Sequence, residues 1–289
     1  HFLNHLSQIA PSVEKTLEPT WHLPLREWLD NRYALGLGLI GGLLATRSPY
    51  PIIKDWADRL NEIVHLFLKK VFLPFMPLFV LGFVVKMQHE GLLTPIFKAY
   101  LPILVLMTLS LVFYLFLLFL AAARFNLHEA LTYIRRATPA GLLGFSSLSS
   151  MAALPLNLDA AERSAPHPCA ARAIVPATVN SHLIGDSLAV PIIAVAVLLT
   201  FKVPLPSLWT FAIFGIFLML TKFSIVALPA GGVIVLMTPL STYLDFSGEM
   251  IALLIAVYLL FEPILTCANV MGNNATAILL SRFTGQLKD

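Results

Sequence analysis

Charge is what this chain of 289 residues is short of: Lys, Arg, Asp and Glu together make 12% of it. Soluble domains carry about 25% charged residues, so the scarcity excludes a soluble enzyme with an ordinary surface. The formal net charge of +3 is spread through connecting segments, without the dense basic patch that a nucleic-acid binder needs. Nucleic acid is therefore not an expected partner. Cysteine is nearly absent as well. Cys169 and Cys267 stand far apart, with neither a CxxC spacing nor a paired histidine, which excludes a disulfide framework and a zinc site. HExxH and GxSxG are missing, and no pair of aspartates sits in facing apolar spans, so the reading is not an enzyme and expects no cofactor beyond a coupling ion. A signal-peptide pattern is also lacking in the first 30 residues, and the chain starts at His1, so a shortened N-terminus is expected.

What the chain has instead is apolar length: 58% hydrophobic residues, a mean hydropathy of +0.82, 20 Phe and 20 Pro. This composition predicts an all-α integral membrane protein with several spans. Proline at membrane depth is tolerated mainly where interrupted helices line a cavity, so some spans should be broken. Residues 1–32 suggest a loop and an interfacial helix carrying Trp21 and Trp28. Apolar stretches follow at 33–46, 63–85 and 99–123, the last being 25 residues without a charge. Segments 47–62 and 124–136 each carry three Lys or Arg, against two in 86–98, and this bias puts the first two segments in the cytoplasm.

From Thr138 the pattern changes. Residues 138–158 (TPAGLLGFSSLSSMAALPLNL) are uncharged, but too short and too rich in serine to cross twice. They predict two short helices meeting at a serine-rich tip, a re-entrant hairpin. A span at 173–200 is interrupted by PATVNSHLIGDS, in which Thr178, His182 and Asp186 share one helical face. A second hairpin is expected at 206–244, with its tip at Leu228 to Gly232, and a second broken span at 249–282. In that last span Glu262, Thr266, Asn269, Asn273 and Thr276 recur at spacings of 4, 3, 4 and 3, one continuous polar stripe. A carboxylate in lipid costs about 2.5–3.5 kcal/mol on insertion scales, so this stripe should face protein, water or a ligand. Two interrupted apolar segments in corresponding positions are the sequence pointer to a transporter's midplane site.

Four fragments then carry a family resemblance: the serine tip followed by Leu154 and Pro155, the run Ala177 to Asn180, the tip Leu228 to Gly232, and Asn269 to Gly272. In this order and spacing they resemble the dicarboxylate/amino acid:cation symporters, the glutamate-transporter group, over roughly residues 63–282. The resemblance implies a scaffold-like portion at 1–136, with the family's first spans missing or cut short, and a transport domain at 137–289. It also implies a homotrimer in a plasma (inner) membrane. By the same resemblance, Ser149, Ser150, Met151, Ala230, Gly231, Glu262, Thr266 and Asn269 would hold the substrate. Pro176, Asn180, His182, Asp186, Asn269 and Asn273 would hold the coupling ion, with Asn180, Asn269 and Asn273 as sodium ligands.

Several positions depart from the family's pattern. An aspartate of the family falls at Asn273, and another at His182 unless a gap lets Gly185, Asp186 and Ser187 stand in for that segment. The arginine that pairs with an acidic substrate side chain falls at Leu265, and the aspartate that takes the substrate's amino group falls at Glu262. Hard cations prefer oxygen ligands with net negative charge, so these changes weaken a sodium site. His182 near physiological pH and a buried Glu262 make proton coupling the alternative. Leu265 points away from dicarboxylates, toward a neutral amino acid or a small monocarboxylate. The expected function is a secondary active symporter of a small amino acid or organic carboxylate, coupled to sodium or protons. Its alternatives are an uncoupled anion channel and a divergent member that no longer transports. Asp186 has a blander reading too, as the partner of a basic residue such as Arg172 or of a backbone N–H at a break.

Overall fold

The structure, a computed structural model, describes residues 93–179, 181–222 and 231–283 together with scattered positions between 37 and 89. The chain divides into two units, one covering 12–90 and one containing 91–289. The stretches at 1–32, 33–46 and 63–85, residue Asn180 and most of the second hairpin tip, including Ala230, lie largely or wholly outside the described residues. The second unit carries every site discussed below.

That unit is all helix among its described residues. Its elements are α1 (Leu93–Ala122), α2 (Leu127–Ser147), α3 (Leu154–Glu162), α4 (Pro168–Thr178), α5 (Ile184–Thr200), α6 (Leu208–Lys222), α7 (Gly231–Leu244) and α8 (Gly248–Ser281). Local chemistry sets their ends. Asn126 caps α2, its side-chain oxygen accepting from the backbone N–H groups of His128 and Glu129 at 3.0 and 3.3 Å. At the other end Leu148 turns into the left-handed region, φ 54°, and stops the helix before the tip at 149–153. Prolines occupy the first turns of α3 and α4, where a missing N–H leaves no helical bond unmade. Ser247 caps α8 through the N–H of Met250.

The closing helix α8 is the axis of the unit. It packs on α1, α2, α3, α4 and α5, while α6 and α7 lie against each other. Small residues let the axes approach. An added Cβ at Gly141 would meet Met271 at 2.8 Å, and one at Gly144 would meet Val270 at 2.9 Å, so α2 lies directly on α8 through its glycines. Alanines do the same elsewhere: Ala161 and Ala171 meet Ala277 with Val175, joining α3, α4 and α8. Large side chains fill one end, where Phe119 of α1 packs with Tyr133 and Ile278.

Two described helices, over Tyr100–Ala122 and Gly248–Ser281, are long and apolar enough to cross a membrane. The charge-free stretch read at 99–123 is thus a helix across that length. On it Leu101, Val105, Leu109, Val112 and Phe113 are exposed, a face suited to lipid. The outcome differs at the other end of the chain. The second break expected within 249–282 is absent: α8 runs without interruption for 34 residues, with Pro263 inside it. The physical reason is that the polarity of its second half sits on side chains that bond neighbouring helices, so the backbone from Asn269 to Thr276 has no need to open. The basic segment at 124–136 is mostly helix as well, because Asn126 starts α2 at Leu127.

Candidate functional site

The polar stripe of α8 faces inward. Glu262, Thr266, Asn269 and Asn273 are all buried, Asn273 to 1% exposure, and Thr276 is half-buried. Opposite the stripe lies the interruption between α4 and α5. Helix α4 ends at Thr178, whose carbonyl accepts from the N–H of Ser181 and of His182, and α5 begins at Ile184. Such a break leaves orphan carbonyls on one side and orphan N–H groups on the other.

Side chains of α8 satisfy both sides. Asn269 Oδ1 accepts from the N–H of Gly185 at 2.7 Å, and its Nδ2 donates to Asp186 Oδ2 at 3.2 Å. Asp186 Oδ1 accepts from the Tyr258 hydroxyl at 2.6 Å. One turn further along, Asn273 Nδ2 donates to Thr178 Oγ1 at 2.7 Å and, at 3.4 Å, to the carbonyl of Val175. His182 Nε2 lies 3.0 Å from the hydroxyl of Thr276. The helices touch closely enough for this because residue 185 is glycine: a Cβ there would sit 2.5 Å from the carbonyl oxygen of Leu265.

Asp186 is therefore tied to Tyr258 and Asn269, whereas Arg172 pairs with Glu162, Nε to Oε1 at 2.7 Å. This corrects the ion pair considered between Asp186 and Arg172. The guanidinium holds the Glu162 carboxyl below its ordinary range.

The serine tip is a compact turn. Ser147 Oγ donates to the carbonyl of Leu143 at 2.6 Å and accepts from the N–H of Ser149 at 3.3 Å. Ser149 Oγ in turn accepts from the N–H of Ala152. Ser150 is buried and Met151 is exposed. Pro176 is an exposed residue in the last turn of α4. Gly231 opens α7. Asn180 and Ala230 lie outside the described residues. Of the candidates, then, Asp186 and Asn269 share one hydrogen-bonded cluster, and Asn273 lies in a second one further along α8.

Three residues that sequence reasoning passed over belong to these clusters: Tyr258, Asn157 and Asn274. Asn157 Nδ2 donates to Asn273 Oδ1 at 2.9 Å, and Asn274 Nδ2 donates to Asn157 Oδ1 at 2.9 Å. A signal existed for Tyr258, one turn before Glu262 and so an extension of the same stripe. For Asn157 none existed, since its role depends on how α3 lies across α8.

Residues 34–283 match the family described as the sodium:dicarboxylate symporter family. The chain belongs to that family. No individually curated protein matches it. As a sodium:dicarboxylate symporter family member it is an integral membrane protein of a transporter family rather than an enzyme family, and a small-molecule substrate and the lipid bilayer are its expected contacts. Within this family member, Leu265 stands buried beside Gly185 on the same helix as Glu262. Helix α8 thus carries one buried carboxylate, Glu262, and bonds a second, Asp186 of α5, through Tyr258 and Asn269.

Proposed function

We propose that this symporter-family protein is a secondary active transporter of a small amino acid or organic carboxylate, coupled to sodium or protons. The observation that carries the reading is the buried seam of α8, from Tyr258 and Glu262 to Asn273, set against the interruption of α4 and α5. Buried ionisable groups within apolar helices are costly, and they mark substrate and ion paths. In this reading residues 138–158 and 206–244 are re-entrant hairpins, 137–289 is the moving transport domain and 1–136 belongs to a scaffold. Three chains assemble in the plasma membrane, and the transport domain shifts in an elevator-like alternating-access motion.

The substrate carboxylate binds at the serine tip, beside Ser149 and Ser150, where hydroxyl and backbone N–H donors suit an anion. Glu262 takes an amino group, with Met151, Thr266, Ala230 and Gly231 around the substrate. Leu265 favours a neutral side chain over a second carboxylate. Asp186 and His182, with Asn180, Asn269 and Pro176, surround the path of the coupling ion.

The test is uptake into proteoliposomes of neutral amino acids, monocarboxylates and dicarboxylates, under an imposed sodium gradient or an imposed proton gradient. Concentrative uptake under one gradient supports the reading and names the ion. Dissipation of gradients with no accumulation would instead support the uncoupled anion channel, and silence in both arms a member that no longer transports. Glu262→Gln should abolish uptake of an amino-bearing substrate or move its pH dependence; unchanged uptake and pH profile would remove Glu262 from the site.

A further inference from the structure

The second polar cluster, where α3, α4 and α8 meet, has an internal logic that decides what it can hold. Asn157, Asn273 and Asn274 are at most 2% exposed. The hydroxyl of Thr178 donates to the carbonyl of Ile174 at 2.7 Å, so its oxygen is left to accept, and the partner 2.7 Å away must be the Nδ2 of Asn273. That fixes the Asn273 amide, with its N–H groups toward α4 and its oxygen toward α3. The oxygen then takes the N–H of Asn157, and this turns Asn157 Oδ1 toward α8. There Asn274 Nδ2 donates both to that oxygen, at 2.9 Å, and to the main-chain carbonyl of Asn157, at 3.0 Å. One hydroxyl rotor thus sets the orientation of all three amides.

The result does not fit a sodium ion. Hard cations are held by several oxygens with net negative charge. Among the described residues no carboxylate takes part at this junction, the Asn273 oxygen already has a donor, and N–H hydrogens point at the carbonyl end of α4. Asn274 Oδ1 is a buried acceptor with no partner among the described residues, but a single neutral oxygen is too few. We infer that the Asn157–Asn273–Asn274 cluster is a cation-free amide lock, which joins the second arm of the first hairpin to α4 and α8 without sodium. Asn273 is accordingly a positioning residue, and sodium, where the protein uses it, binds away from this cluster. The transporter reading enters only in making sodium the ion at issue.

The test is thermal unfolding of the purified full-length protein in sodium chloride and in choline chloride of equal ionic strength, for the wild type, Asn273→Ser and Asn273→Asp. A ligand that binds the native state raises the midpoint saturably. Any sodium response of the wild type should persist in Asn273→Ser, and a wild type without one should stay so. Asn273→Asp places a carboxylate facing Thr178 and Val175, so it should unfold earlier in choline and recover with sodium by roughly 5 °C, saturably. A wild-type sodium response that Asn273→Ser abolishes would overturn the lock. So would an Asn273→Asp protein that folds in choline and ignores sodium. If Asn273→Asp does not fold, the wild type and Asn273→Ser decide alone. Uptake is not read in this experiment, so failure of the lock and failure of the transport reading remain separate results.

Discussion

Two polar stretches in apolar surroundings, ATVNSHLIGDS and CANVMGNNAT, look alike in sequence, yet the first breaks its helix and the second does not. The difference lies in where their polar groups go. In the first, the backbone itself is opened, leaving the carbonyl of Val175 and the N–H of Gly185 near the gap. In the second, the backbone ladder is continuous, and the amides of Asn269 and Asn273 reach across to those two groups. A broken helix in an apolar medium needs outside partners for its freed ends, and the unbroken helix beside it supplies them. Continuity of α8 and interruption of α4 and α5 are therefore one arrangement, not two independent features.

The comparison can be broken by forcing the two stretches apart. Gly185→Ala should do most damage, because the new Cβ would stand 2.5 Å from a backbone oxygen that has no side-chain freedom to yield. A loss of about 3 kcal/mol or more is expected from overpacking and from the bonds stretched with it, measured as thermal unfolding of the purified protein. A midpoint within a degree of wild type would mean that α5 and α8 are not in contact there. Asn269→Ala removes both the acceptor for Gly185 and the donor to Asp186. The N–H of Gly185 and the carboxylate of Asp186 each lose a buried bond, and about 2–3 kcal/mol should be lost, with Asn269→Ser intermediate.

Smaller changes sharpen the picture. Tyr258→Phe deletes a single donor to a buried carboxylate, and about 1.5–3 kcal/mol is the scale for such a bond. If the hydroxyl serves the coupling ion rather than the fold alone, the pH profile of uptake should move along with stability. The smallest effect belongs to the exposed pair of Glu162 and Arg172, which lies outside the seam. Because Arg172 lowers the folded-state value of Glu162, the pair's contribution is present above the ordinary glutamate range and fades as the pH falls through the lowered value. Arg172→Ala should flatten this acid dependence of the unfolding midpoint and change little near neutrality. An equal fall at all pH values would assign Arg172 a packing role instead.

How much of this was legible depended on what kind of signal each residue carries. The inward stripe of α8 could be read because 3.6-residue periodicity places Glu262, Thr266, Asn269 and Asn273 on one face whatever the rest of the chain does. The interruption after Thr178 could be read as well, from polar residues and Pro176 inside an apolar run. Continuity at Asn269 to Asn274 could not, since an asparagine that breaks a helix and one that bonds a neighbour are the same letter. Tyr258 as partner of Asp186, 72 positions away, and Asn157 as partner of Asn273, 116 positions away, depended on the crossing of helices.

By itself, then, the sequence determined a helical membrane protein, the interruption after Thr178 and which face of the last helix must be sheltered, because composition and period are local properties of a chain in an apolar solvent. Only the tertiary structure decided which polar group satisfies which. A buried amide must bond whatever the packing brings within 3 Å, and in this protein the close approach of α3, α4 and α5 to α8 turned Asn273 toward Asn157 and Thr178.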